Sequence, residues 1–265
     1  MVCVDQTIEG VHFDPGTPPA LVGRKAAARA LSDLAATAAR PLAILVALSA
    51  PGTRSEAWIR GVLAGARAEA SSSGADLVGG DLASARGPAH ISVTALGRTS
   101  RLGKPPGRDR ARPGQVLVLT GPVGGSRLGR HLRIHPRLRA GAELFRLGAT
   151  AMMDVSDGLA WDLHRLARAS GVRIDLELDR VPVHADARRA SRRDGRDAID
   201  HALHDGEDHE LLATLAAARV PPARATIRSL AAIGRVSRGA GLWLCGSSAA
   251  PRRWRPAEGG WKHGA

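Results

Sequence analysis

Residues 151–163, AMMDVSDGLAWDL, constrain this chain more than any other stretch. Ala151, Met152 and Met153 read as the end of a strand, and Leu159, Leu163 and Leu166 recur at helical spacing just beyond. Between them lie Asp154, Ser156, Asp157 and Gly158, so two carboxylates stand where a strand hands over to a helix. Ser156 or Asp157 suits a helix N-cap, where a side-chain oxygen accepts an orphan backbone N–H. A cap accounts for one acid and leaves the other over. Two acids at such a turn can also hold a hard cation beside a phosphate.

The chain has 265 residues, enough for one large or two modest domains. Its longest apolar run, 41–50, is well short of the ~20 residues that cross a bilayer, and no basic leader precedes a hydrophobic segment. A cytoplasmic location is therefore expected, with no membrane partner. Cys3 and Cys245 make neither a disulfide framework nor a zinc site. The net charge of +13 would suit an anionic partner, but lysine occurs only at Lys25, Lys104 and Lys262, and the arginines that carry the charge are scattered. Aromatic residues make up 3% of the chain, too few for stacking on bases, so nucleic acid is not expected.

Taken in order, the chain opens on the end of a strand that reaches Asp5, followed by His12 and Phe13 ahead of a Pro/Gly turn. An Ala-rich helix is predicted over 20–38, with Asp33 among small apolar neighbours; mid-helix Asp is a weak helix former, so it either caps a late start or serves chemistry. The apolar run 42–48 suits a buried strand and 54–73 a second helix. Gly79, Gly80 and Asp81 end a further strand, either as an ordinary turn or as a close backbone approach to a ligand beside an acid. Alternation over 90–96 predicts another strand. The Pro-, Gly- and Arg-rich segment 99–114 marks a boundary between two domains, 1–110 and 111–265.

Beyond it, a strand over 115–120 leads into a glycine-rich turn at 121–126, which lacks the Gly-Lys-Ser/Thr ending of a phosphate loop. Val172, Ile174, Leu176 and Leu178 alternate with charged residues as in a half-buried strand, and 186–200 reads as a solvated helix or loop. Glu207, Asp208 and Glu210 crowd together before strands near Ile233 and Leu242. Asp5, Asp33, Asp81, Asp154, Asp157 and Asp208 each lie at an element end or beside small residues. Gathered together, bare carboxylates repel, and a divalent cation relieves them; oxygen-only donors favour Mg²⁺ or Ca²⁺, with Mg²⁺ commonly shared with substrate phosphates. That chemistry points to a nucleotide.

The stretches VDQTIEGVHF (4–13), RALSDLA (29–35), LVGGD (77–81), MMDVSDGL (152–159), DGEDHELL (205–212) and GGWKH (259–263) together resemble thiamine-monophosphate kinase, of the aminoimidazole ribonucleotide synthetase-like superfamily. They occur in the family's order along nearly the whole chain. The resemblance implies ATP-dependent phosphorylation of thiamine monophosphate to thiamine diphosphate by direct transfer, with several Mg²⁺ ions and no phosphoenzyme. It implies Mg²⁺ ligands at Asp5, Asp33, Asp81 and Asp154, with Asp157 a further one. It implies ATP contacts at Gly80, Asp81, Arg108 and Ser156, and a thiamine-phosphate side at His12, Glu207 or Asp208, and Trp261. The implied fold is two α/β domains, the first pairing with its counterpart in a homodimer to build a shared β-barrel.

The chain also departs from the family's pattern. Members carry an upstream strand and a Gly-Asp-Asp segment, after which this sequence begins, so the first domain is expected to be N-terminally truncated. Cys3 and Val4 replace hydroxyl residues before Asp5, Leu82 and Ala83 replace threonines after Asp81, and Asp205 and His209 replace Gly and Tyr. In the tail, Lys262 and Gly264 stand where Asp and Phe are common. Two other readings follow: an ATP-using superfamily member with a different substrate, or a truncated, non-catalytic remnant that binds nucleotide or dimerises.

Overall fold

A computed structural model describes residues 1–99, 103–247 and 250–259. Its first half contains β1 (Val2–Ile8), α1 (Pro19–Ala36), β2 (Ala39–Ala50), α2 (Glu56–Ser72), β3 (Asp76–Ser84) and β4 (His90–Thr99). The strands form a four-stranded sheet in the order β1-β4-β2-β3, antiparallel except for the β2–β3 pair. Ile44, Val46, Leu48, Ile91 and Val93 point to one face, where they pack with Val22, Leu31, Leu34 and Val62 of the two helices. α1 and α2 touch backbone to backbone: a Cβ on Gly65 would fall 2.0 Å from the Ala20 carbonyl oxygen, and one on Gly23 1.8 Å from that of Val62.

The run over 42–48 is not fully buried as expected. Leu45 is exposed while its neighbours Ile44 and Val46 are buried, because helices cover only one face of the sheet. On the other face Val4, Thr94 and Leu45 stand in one row across β1, β4 and β2, with Val2 beside them. Every exposed large hydrophobic among the described residues belongs to this sheet or to Met1 before it.

The second half contains β5 (Val116–Leu119), α3 (Leu138–Arg146), β6 (Met152–Asp154), α4 (Leu159–Ser170), β7 (Arg173–Glu177), α5 (Ala185–Asp194) and α6 (Ala198–His204). It continues with β8 (Leu211–Leu215), α7 (Val220–Thr226), β9 (Ala231–Ser237), β10 (Gly241–Cys245) and β11 (Arg252–Arg253). These strands form a seven-stranded sheet, β11-β10-β7-β9-β5-β8-β6. Leu159, Leu163 and Leu166 of α4 bury against Leu117, Met153, Ile174, Leu176 and Leu242, with Trp254 closing the end. The segment expected to be a solvated helix or loop is the pair α5 and α6.

β7 is more buried than its alternation predicts. It lies between β10 and β9, so even Asp175 is covered, held by Arg173 and by Ser237, whose Oγ donates at 2.6 Å.

α1 joins the halves. Its last residues, Ala35 and Ala36, share a core with Leu144 of α3, Met152 of β6 and Leu211 of β8, so one end of α1 is packed against the second sheet. Lys25, Arg29 and Ser32 of the same helix reach Glu207 and Asp154 of the second half. Gly65→Val places a side chain where α1 and α2 meet and is expected to lower stability by at least ~1–3 kcal/mol. Urea unfolding checks this, and a variant as stable as the parent would contradict the packing described.

Candidate active site

Lys25, Arg29, Ser32 and Asp33 follow the helical spacing i, i+4, i+7, i+8 and form one stripe on α1. Lys25 is fully buried; its ammonium pairs with Glu207, donates to the His12 carbonyl and meets His131 Nδ1 at 2.9 Å. Burial lowers Lys25 to about 8 against the opposing pull of Glu207. Arg29 donates to both oxygens of Asp5, at 2.8 and 3.0 Å, and to Glu207 Oε1 at 2.9 Å. Ser32 Oγ donates to Asp154 Oδ2 at 2.6 Å, and the same oxygen meets His209 Nδ1 at 3.0 Å. Burial alone would raise Asp154, but His209 and Ser32 hold it below the usual carboxylate range.

Asp33 differs from its neighbours. Its carboxylate accepts no hydrogen bond among the described residues, and burial together with Asp154 and Asp5 pushes it up to about 7. Arg108, from the segment between the domains, lines a cavity of about 290 Å³ with Asp33, Cys3, Met152 and Met153.

The turn after β6 is not capped by Ser156 or Asp157. Asp162, in the first turn of α4, reaches back so that its Oδ2 accepts from the N–H groups of Ser156 at 2.9 Å and Asp157 at 3.0 Å. Asp157 is left with its carboxylate free of the cap and paired with Arg165.

Loop 205–210 runs beside this turn: Glu207 N donates to Ser156 O and His209 N to Val155 O, each at 2.8 Å. Glu207 and His209 have positive φ, 55° and 52°, a conformation unusual for residues other than glycine. Glu207 and His209 line one cavity with His12, Arg29, Ser156 and Asp157. Asp208 turns away to Arg130 Nη2, at 2.8 Å, and to the Gly124 N–H, at 2.9 Å. The glycine-rich turn therefore receives this protein's own acids, since Gly125 N–H likewise binds Asp205 at 2.9 Å. Gly124 and Gly125 are needed there because a Cβ on either would come within 2.6 Å of a backbone nitrogen, Ala202 or Ala187.

Of the residues singled out in the sequence, His12, Ser156, Asp157 and Glu207 meet at one cavity, while Asp33 and Arg108 share the neighbouring one. Asp5 of β1 and Asp154 of β6 are each held by a residue of the α1 stripe, Arg29 and Ser32. Gly80 and Asp81 lie apart in β3: Asp81 is in the row Gln6-Ser92-Ala47-Asp81, on the face opposite to α1. Gly80 packs against β2, where a Cβ would fall 1.9 Å from the Val46 carbonyl oxygen. Trp261 lies outside the described residues. The sequence reading missed Lys25, Arg29, Ser32, Asp162 and His209; the helical spacing of the first three was the available signal.

His12 accepts from the Ile8 N–H through Nδ1 at 3.0 Å, and burial with nearby Arg29 pushes it down to about 4, so its ring is neutral. Burial opposes ionisation of Glu207, but His131, Lys25 and Arg29 hold it well below the usual range. The acids near α1 offer only oxygen donors, and Asp33 is short of positive charge, which suits a hard cation such as Mg²⁺. As they stand, no three such side chains among the described residues are grouped closely enough to hold an ion.

Two family models divide the chain: AIR synthase related protein, N-terminal domain, matches residues 1–99, and AIR synthase related protein, C-terminal domain, matches 112–240. Fold and site thus define an AIR synthase related protein. The thiamine-monophosphate kinase of Rhodopirellula baltica is 37% identical over 251 residues, 92% of this chain and 77% of the relative. AaThiL, solved in complex with AMPPCP and TMP, matches with a TM-score of 0.89 at 29% identity, covering 99% of this chain and 86% of that one. The thiamine-monophosphate kinase structure from Stenotrophomonas maltophilia matches with a TM-score of 0.84 at 35% identity, covering 94% and 86%. The chain belongs to the thiamine-monophosphate kinase family.

Without a cation, the folded protein keeps Asp33 protonated up to about pH 7, whereas an unfolded chain releases that proton near pH ~4. The folded state binds the extra proton in that window, so this group's contribution to stability is lost as pH rises through it. Thermal unfolding in chelator, from about pH 5 to about pH 8, should show a decline in Tm that Asp33→Asn flattens. A parallel decline in both proteins would remove Asp33 as its source.

Proposed function

We propose that this chain phosphorylates thiamine monophosphate, with ATP as donor, to give thiamine diphosphate in thiamine biosynthesis. The observation that carries this is the meeting of His12 from the first domain with Ser156, Asp157 and Glu207 from the second at one cavity. Family membership supplies the substrate class. His12 and Glu207 form the thiamine-phosphate side: the neutral imidazole has Nε2 left to donate, and the ionised carboxylate faces a cationic ring. Asp208, buried against Arg130, holds the loop that presents Glu207. Trp261 is assigned to stacking on the substrate's rings.

Ser156 and Arg108 serve the ATP phosphates, the latter through its two-pronged guanidinium. Asp5, Asp33, Asp154 and Asp157 would hold Mg²⁺, which when bound neutralises phosphate charge during transfer. No residue is needed as a covalent nucleophile, because positioning and charge neutralisation do most of the work in direct phosphoryl transfer.

The second part of the proposal is a homodimer built on the open face of the four-stranded sheet. Val2, Val4 and Leu45 form an exposed apolar patch there, and among the described residues β1 and β3 are the unpaired edges of the sheet. A second copy would cover the face in a shared β-barrel, and Gly80 and Asp81 would serve the nucleotide where that face meets it. The enzyme is assigned to the cytoplasm; no described helix is long and apolar enough to cross a membrane.

Incubation with Mg-ATP and thiamine monophosphate should release ADP and form thiamine diphosphate, and Asp154→Asn should reduce turnover by at least about 100-fold. Normal turnover in that variant would sink the role given to Asp154; no product from the parent would move the reading to another substrate. Leu45→Lys combined with Val4→Lys should give a monomer by light scattering, and an unchanged dimer would place the interface elsewhere.

A further inference from the structure

We propose that Arg29 is an internal counter-ion that competes with a divalent cation for Asp5. The inference rests on Asp5 being one of the cation's ligands, as proposed above, and concerns what that ligand must give up. Arg29 spends two arms of its guanidinium on Asp5, Nε on Oδ2 at 2.8 Å and Nη2 on Oδ1 at 3.0 Å, so both carboxylate oxygens are engaged. The third arm, Nη1, holds Glu207 Oε1 at 2.9 Å. The arginine side chain is 11% exposed, and water can do little to screen its charge.

A dication approaching Asp5 therefore meets a guanidinium already seated on the oxygens it needs. Spare lone pairs remain on the carboxylate, but the fixed positive charge about 3 Å away repels a second cation. The contrast with Asp33 supports this: on the same side of the molecule, Asp33 accepts no hydrogen bond among the described residues, while Asp5 is doubly bound.

The pairing also fixes where Arg29 stays when it yields. Glu207 is held on its other oxygen by the buried ammonium of Lys25, so the Glu207–Arg29 contact does not depend on Asp5. Released from Asp5, the guanidinium remains in the wall of the cavity it shares with His12 and Ser156, with two N–H-bearing arms free. The strap between β1 and loop 205–210 thus weakens the cation site as long as it is closed.

The test is titration of the full chain, without nucleotide, with Mn²⁺ alone, counting free ion by electron paramagnetic resonance. Arg29→Gln should bind Mn²⁺ about tenfold more tightly than the parent, the scale of one lost charge-assisted contact. Arg29→Lys, which cannot span both oxygens, should tighten binding by less. In an Asp5→Asn background the Arg29 substitution should have no effect.

Unchanged or weaker Mn²⁺ binding by folded Arg29→Gln would overturn the proposal and leave Arg29 a structural strap. If that variant does not fold, Arg29→Lys decides alone, tightening in favour and no change against. If Asp5→Asn added to Arg29→Gln leaves Mn²⁺ binding as it is in Arg29→Gln alone, Asp5 is not a ligand and the underlying assignment falls with the proposal.

Discussion

Glu207 carries a negative charge in the wall between two domains, and two cations from successive turns of α1 keep it there. A buried carboxylate left with one partner fewer is expensive, on the order of 3–5 kcal/mol when a buried pair is broken. Lys25 pairs with one oxygen and Arg29 with the other, so loop 205–210 cannot drift from α1 without exposing three charged groups to a poor environment. The positive φ at Glu207 and His209 persists because the surroundings hold it, through the backbone bonds to Ser156 and Val155 and through the glycine turn that binds Asp205 and Asp208. The strain has a use: alternating the chain direction aims Glu207 and His209 at one cavity and Asp208 at the opposite side.

The same helix sets the distance between the groups proposed to hold the metal and those proposed to hold the substrate. Its apolar face packs on the first sheet, its end is locked into the second, and its polar stripe is left between them. Because the stripe is rigid, Asp5, Asp33 and Asp154 keep fixed relations even though they come from three different elements. Phosphoryl transfer depends mainly on such positioning, so a helix packed at both ends is a suitable carrier.

Much of this was legible in the sequence, and the limits have physical causes. Strand-to-helix signals located Asp154 and Asp157, and the crowded acids at 207–210 marked the second loop. What sequence could not resolve was direction. Glu207 and Asp208 are adjacent and chemically alike, and only the positive φ decides which one faces the cavity. Lys25 entered the reading only as one of three lysines in the net charge, because its burial depends on Glu207, 182 residues away. Capping was attributed to Ser156 or Asp157 by position, whereas Asp162 performs it from within the helix. The strand at 42–48 read as wholly buried since its apolar residues are consecutive; nothing local says that one face lacks a helical cover.

That uncovered face bears on the placement of Asp81. Pleat parity puts Asp5 and Asp81 on opposite sides of one sheet, since Asp81 shares a row with Gln6 and Gln6 is the neighbour of Asp5. No rotation of a short aspartate side chain carries it through a sheet. Within one chain, then, Asp81 and the α1 acids cannot act on the same ion. An acid on an apolar open face is costly to bury unless something polar arrives with the surface that covers it. In the proposed dimer a second copy would bring its own row of Gln6, Ser92 and Asp81 to the junction, so the apolar rows would drive association while the polar row would keep a solvated, anionic channel. Dimerisation and nucleotide binding would then draw on different rows of the same sheet, with Gly80 supplying the close strand contact that keeps Asp81 in its row.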